Sequence, residues 1–260
     1  MMPAGFAGLE AQLWLWMVAM IRPGAAFLAA PVFGAAFVPV QLRLVIALAI
    51  GIPALNAVNF VLPAEGLASI AGFMLVGGEV IAGIALGFAV QIGFSAALLA
   101  GETVSNAMGL GLAGMVDPAS GQQNPMLGQF LTILATFLFL AIGGHLALAA
   151  TIVESYRALP PGDAWLSAES IRGLVFFGGV LFAAGLSIAL PVGFAIILVQ
   201  IVMAMLARSA PQLNLFSVGL PAALLAGIVL LAIAAPVMGD GILAVLQQGL
   251  EQARRIAIGG

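Results

Sequence analysis

Lysine and cysteine are absent from this 260-residue chain, histidine occurs once, and charged residues make up only 7%. An ordinary soluble domain carries about 25% charged residues, enough to clothe its surface. Seven arginines and ten acids cannot clothe a chain of this length, so its surplus apolar surface must face lipid or other proteins. The missing cysteine excludes disulfides, thiol nucleophiles and thiolate metal sites together, and leaves the compartment open. A formal net charge of −3, with no basic run, excludes the electrostatic footprint of a nucleic-acid binder. Residues 1–8 hold no positive charge, whereas a cleavable signal carries one ahead of its apolar core. The first apolar segment is therefore expected to stay in the mature protein.

What is present is apolar: 63% hydrophobic residues and a mean hydropathy of +1.24. A spanning helix needs roughly 20 mainly apolar residues. Six stretches reach or approach that length. The first covers about residues 9–30 and is interrupted by Arg22-Pro23-Gly24. The second, about 42–62, contains Pro53, and the third, about 69–100, contains Glu79 and Gln91. The fourth covers about 127–153, and the fifth, about 173–207, contains Pro191. The sixth covers about 213–237 and is followed by a polar tail. No stretch alternates polar and apolar residues, which argues against a transmembrane β-barrel. The third and fifth are too long for one upright crossing. Gly77-Gly78, Gly83 and Pro191-Val192-Gly193 are expected to bend or break them. The expected fold is all-α: apolar kinked helices and helical hairpins in a single domain over residues 1–260. Many of the 33 glycines lie inside the apolar stretches, where they let helix backbones approach closely.

Six upright spans would put Arg157, Arg172, Arg254 and Arg255 on one side and Arg22, Arg43 and Arg208 on the other. Positive residues favour the cytoplasm, which points to both termini inside. The connection at about 101–127 carries no Lys or Arg and is rich in Gly and Met. It contains Met108-Gly109-Leu110-Gly111-Leu112-Ala113-Gly114-Met115-Val116-Asp117-Pro118. Exposed loops are normally polar, so this one is expected to be buried in protein or to fill a cavity. The connection at 154–172, with Leu159-Pro160-Pro161-Gly162-Asp163, reads as a polar turn region.

Few residues offer chemistry. His145 has no second His or Cys to share a metal and no carboxylate within a helical turn, so a hydrogen-bonded packing or helix-end role is expected. Glu79 lies deep in an apolar stretch, where an ionisable group is a functional candidate or pairs with a cation. Arg22, Arg43, Glu102 and Arg208 complete the candidates for buried ion pairs or helix packing. No nucleophile, base and orienter fall together, and no Walker-type or dinucleotide-binding glycine pattern occurs. No catalytic, cofactor or metal site is expected. A stand-alone transporter or channel for a small solute or ion is the competing class, although the two halves show no internal repeat.

Four blocks resemble the FliR family of flagellar biosynthesis proteins. They are Arg22-Pro23 through Pro31-Val32-Phe33-Gly34 to Val38-Pro39-Val40-Gln41-Leu42-Arg43; Gly101-Glu102 with Met115-Val116-Asp117-Pro118-Ala119-Ser120 and Asn124-Pro125-Met126-Leu127; Gly144-His145-Leu146 with Leu159-Pro160-Pro161-Gly162; and Ala207-Arg208-Ser209-Ala210-Pro211-Gln212-Leu213-Asn214-Leu215-Phe216-Ser217-Val218-Gly219-Leu220-Pro221. The likeness covers nearly the whole chain, in order, and the Val-Asp-Pro block is closer to the flagellar than to the virulence branch. It implies one subunit of the export gate of flagellar type III secretion, in the bacterial inner membrane at the flagellar basal body. Several copies each of FliP-like and FliQ-like subunits, other flagellar export-apparatus proteins, unfolded flagellar substrates and membrane lipid would be its partners. It also implies that residues 108–118 plug the closed pore and that energy comes from the proton motive force and separate cytoplasmic components. Gly109, Gly111 and Gly114 suit a plug by freeing the backbone, and Leu110, Leu112, Met115 and Val116 suit it by sealing against apolar neighbours. Asp117-Pro118 would end the mobile run. Much apolar surface would then face sister subunits rather than lipid.

Overall fold

The computed structural model describes residues 7–58, 60, 62–63, 66–110, 126–162, 165–209 and 219–259. Every regular element among them is a helix: α1 (Ala7–Ala29), α2 (Val40–Asn56), α3 (Ile70–Ala107), α4 (Met126–Ala141), α5 (Gly144–Ala158), α6 (Ala168–Ser209) and α7 (Leu220–Ala257). The helices start where local chemistry allows. Pro39 precedes α2 with φ −59°, the angle its ring imposes. Ser69 begins α3, its Oγ accepting a hydrogen bond from the Gly72 N–H at 3.1 Å, and Ser167 does the same for the Ser170 N–H at 3.0 Å ahead of α6. Glu169 in the first turn of α6 and Arg254 and Arg255 in the last turn of α7 complement the helix dipoles.

Three expectations change. Neither the Gly77-Gly78 pair nor Pro191 breaks its helix: α3 and α6 run for 38 and 42 residues. Where water cannot satisfy the backbone, losing one hydrogen bond at a proline costs less than leaving the helix. Arg22-Pro23-Gly24 likewise sits inside a continuous α1. The sharp turn falls instead in the fourth stretch, where α4 and α5 meet at 66° and Gly143 takes φ +69°. Finally, the tail after Val237 is helical to Ala257. Its buried Met238, Ile242, Val245, Leu246, Ala253 and Ile256 recur at helical spacing beneath a polar outer face. By length and composition α1, α3, α6 and α7 can cross a membrane, and the bent α4–α5 pair has the composition of a broken span or a re-entrant loop; α2, at 17 residues, is short for a span.

The chain divides into two compact units. The first comprises Met1–Ile92, Phe139–Gly178 and Gln247–Gly260. Its helices touch through backbone. In α3, Gly83 and Gly87 lie one turn apart against α1, and a Cβ on either would collide with the carbonyl oxygen of Arg22 or of Ala26. The contacts advance in the same direction on both chains, so α1 and α3 run parallel. Gly51 of α2 meets the Ala19 carbonyl in the same way. Small residues thus bring three helices to van der Waals distance where no hydrophobic drive from water is available.

The second unit comprises Gly93–Leu138 and Gly179–Leu246. Here Gly101 of α3 faces Gly128 of α4 backbone to backbone, and Gly185 of α6 lies against Ala96 and Leu99 of α3. Gly241 of α7 accommodates Ile188 of α6.

Candidate functional site

Arg22 is the largest fully buried side chain among the described residues, at 0% exposure. An unpaired buried guanidinium would be prohibitively costly, so its partners define the site. The Arg22 Nε–H donates to Glu79 Oε2 at 2.9 Å and an Nη2–H donates to Glu79 Oε1 at 2.7 Å, a bidentate pair between α1 and an equally buried carboxylate of α3. A second Nη2–H donates to the Leu159 carbonyl at 2.7 Å, and an Nη1–H donates to Ser155 Oγ at 3.0 Å. The Ser155 O–H in turn donates a hydrogen bond to the Ile152 carbonyl at 2.7 Å. The guanidinium carbon sits 4.1 Å from the centre of the Tyr156 ring. One side chain therefore joins α1, α3 and the end of α5.

Tyr156 has a second task. Pro23 has no N–H, so the carbonyl four residues earlier, that of Ala19, lacks its helical donor. The buried Tyr156 hydroxyl supplies one at 3.1 Å. The missing Cβ of Gly51 leaves room beside the same carbonyl. Ser155, Tyr156 and Leu159 were not among the candidates read from sequence; Pro23 inside an apolar helix, which leaves a carbonyl in need of a donor, is a signal for Tyr156 alone.

The other candidates separate. Arg43 meets no carboxylate among the described residues. It donates to the carbonyls of Phe33 at 2.7 Å, Ala35 at 2.8 Å and Val38 at 3.2 Å, clamping the α1–α2 connection. That connection contains Val32 at φ +68°, a strained angle for a β-branched residue, and Phe33, whose ring lies 4.6 Å from that of Phe27 at a tilt of 43°. Glu102 is half-buried beside Gly128 in the second unit, and Arg208 is exposed in the last turn of α6. Neither has an ion-pair partner among the described residues. His145 lies in the first turn of α5; its Nδ1 is buried with no hydrogen-bond partner among those residues, so its position fits the helix-end role but not a hydrogen-bonded one. No cluster of three His, Asp or Glu among the described residues could hold a metal.

Of the central connection, Met108, Gly109 and Leu110 are described, and Gly111, Leu112, Ala113, Gly114, Met115, Val116, Asp117 and Pro118 lie outside the described residues. The helix α3 takes up the expected connection as far as Ala107. Its end is held by α6, where Gln200 Nε2–H donates to the Ala107 carbonyl at 2.8 Å. Met108 is only 2% exposed and packs on Gly227 of α7, where a Cβ would lie 2.6 Å from its Cε and Cγ. Met108 is thus an anchor. The chain turns at Gly109, with φ +80° and its N–H bonded to the Asn106 carbonyl at 3.0 Å.

Residues 13–249 match the family described as bacterial export proteins, family 1. The chain belongs to this family. Relatives include the flagellar biosynthetic protein FliR of Escherichia coli (strain K12), 34% identical over 229 residues, which cover 87% of this chain and 85% of that one. FliR of Bacillus subtilis (strain 168) is 27% identical over 79% of this chain and 80% of its own. The surface presentation of antigens protein SpaR of Shigella flexneri is 29% identical over 142 residues, 55% of each chain. Membership in the FliR family, with four long apolar helices, makes the chain a membrane-embedded component of a type III protein-export apparatus.

Proposed function

We propose that the chain is a structural, non-catalytic subunit of the flagellar type III export gate in the bacterial inner membrane. It assembles with several copies of FliP-like and FliQ-like helical subunits around a pore for unfolded flagellar proteins, and its central connection plugs that pore between passages. The observation that carries the reading is the root of the connection. Ala107 and Met108 are held by α6 and α7, and the left-handed Gly109 opens a Gly-rich run without charge until Asp117. A held root followed by a Gly-rich, apolar sequence suits a seal that must yield to a polypeptide and return. The long exposed apolar faces of α6 and α7, including Phe182, Leu190, Phe194, Ile228 and Ile233, suit burial against sister subunits.

Deleting residues 109–116 while keeping Met108 tests the reading. The assembled gate, reconstituted in a planar bilayer, is expected to conduct ions at rest; a conductance equal to that of the intact gate refutes the plug. A chain that purifies as a stable monomer and binds a small solute would replace the gate with a stand-alone transporter.

A further inference from the structure

The outer face of α7 repeats the problem that Pro23 poses in α1, without a solution among the described residues. Pro236 lies inside α7 and is exposed. Having no N–H, it deprives the Ala232 carbonyl of its helical donor. Ala232 is exposed as well, and no side chain among the described residues donates to it. One turn beyond Pro236 stands Asp240, also exposed, in Gly239-Asp240-Gly241 and with no ion pair or hydrogen bond among the described residues. Residues 232, 236 and 240 are spaced by four and share a face. Helix carbonyls point towards the C-terminus and side chains lean towards the N-terminus, so the freed carbonyl and the carboxylate face one another across the proline ring. Around them the face is apolar: Leu225, Val229, Ile233 and Val237 are all exposed.

Once a partner covers this face, both acceptors need donors, and a single donor group that carries positive charge suits the carboxylate and the carbonyl together. This chain shows the chemistry: the buried Arg22 guanidinium serves a carboxylate and a backbone carbonyl together. The geometry points to a docking position for a helix of another subunit, which places an Arg guanidinium across the Ala232 carbonyl and the Asp240 carboxylate of α7. The inference rests on the chain assembling with other helical subunits.

The test uses the full chain co-purified with its gate partners. D240N is expected to lower partner retention about tenfold or more, the loss of a charge-assisted bond. P236A restores an N–H that feeds the Ala232 carbonyl from within and is expected to lower retention a few fold. Neither acceptor has a donor among the described residues, so the thermal midpoint of the isolated D240N chain in detergent should equal that of the parent. A photo-cross-linking residue at Val237 should join a partner peptide containing Arg. Unchanged retention in D240N, an equal loss of the isolated chain's own stability, or cross-links confined to lipid, to a second copy of this chain or to Arg-free segments overturns the inference. Failure of the parent chain to retain any partner overturns the gate reading and this one together, whereas retention that ignores Asp240 overturns this one alone.

Discussion

Replacing Glu79 by Gln should destabilise the chain more than removing both charges of the pair. The amide is the same size as the carboxylate, but it turns an N–H₂ towards a guanidinium that is itself 0% exposed. One of the two bonds at 2.7 and 2.9 Å is lost, and the positive charge stays buried without its counter-charge. Breaking a buried pair on one side costs about 3–5 kcal/mol. For a chain of this size that lowers the thermal midpoint by roughly 6–20 °C. Replacing Arg22 and Glu79 together by Met removes both charges and keeps comparable volume. The Ser155 hydroxyl still has the Ile152 carbonyl, so the main loss is the donor to the Leu159 carbonyl, about 1–3 kcal/mol. Thermal unfolding of the detergent-solubilised chain, followed by tryptophan fluorescence, reads all the variants. The reasoning fails if E79Q costs less than about 1 kcal/mol, or if the double variant costs as much as the two single ones added.

Tyr156→Phe should cost about 1–2 kcal/mol by leaving the Ala19 carbonyl without a donor, and adding Pro23→Ala should recover most of it by restoring the helical N–H; unfolding midpoints of the single and double variants check this. Arg43→Met should open the α1–α2 connection, seen as faster amide exchange at residues 33–38, with Glu79-dependent stability unaffected. The same exchange of Gly for Ala should act with opposite sign at two places. At Gly87 the new Cβ strikes the Ala26 carbonyl and lowers the midpoint, while at Gly178, which has open space around it, the isolated chain should gain about 0.5–1 kcal/mol.

The helices were legible because low charge and long apolar runs leave few alternatives to helix. Their continuity was not, because Pro191 and Gly77-Gly78 were weighed as they would be in water. The amphipathic end of α7 looked like a tail because Gln247, Gln248, Glu251, Arg254 and Arg255 outnumber its apolar residues locally, while the buried stripe beneath them is visible only at helical spacing. Glu79 stood out as an ionisable residue in an apolar stretch. Its partner lies 57 residues away, and the Leu159 carbonyl that shares that partner lies 137 away from it. The Leu159 carbonyl leaves no mark in the sequence, and a spacing of that size carries no periodic signal. Asp240 escaped notice because the sixth stretch was ended at Val237.

The reach of the Arg22 bonds along the chain also sets a clock. Synthesis at about 5–20 residues per second separates Arg22 from Glu79 by roughly 3–11 s, and from the Leu159 carbonyl by roughly 7–27 s. During that interval the first helix carries a cation whose final partners do not yet exist. Until α3 emerges, the Arg22 side chain has to be solvated by water, lipid headgroups or the insertion machinery, and α1 cannot settle at its final depth. The nascent chain must wait with its first helix unfinished, first for the carboxylate of α3 and then for the end of α5.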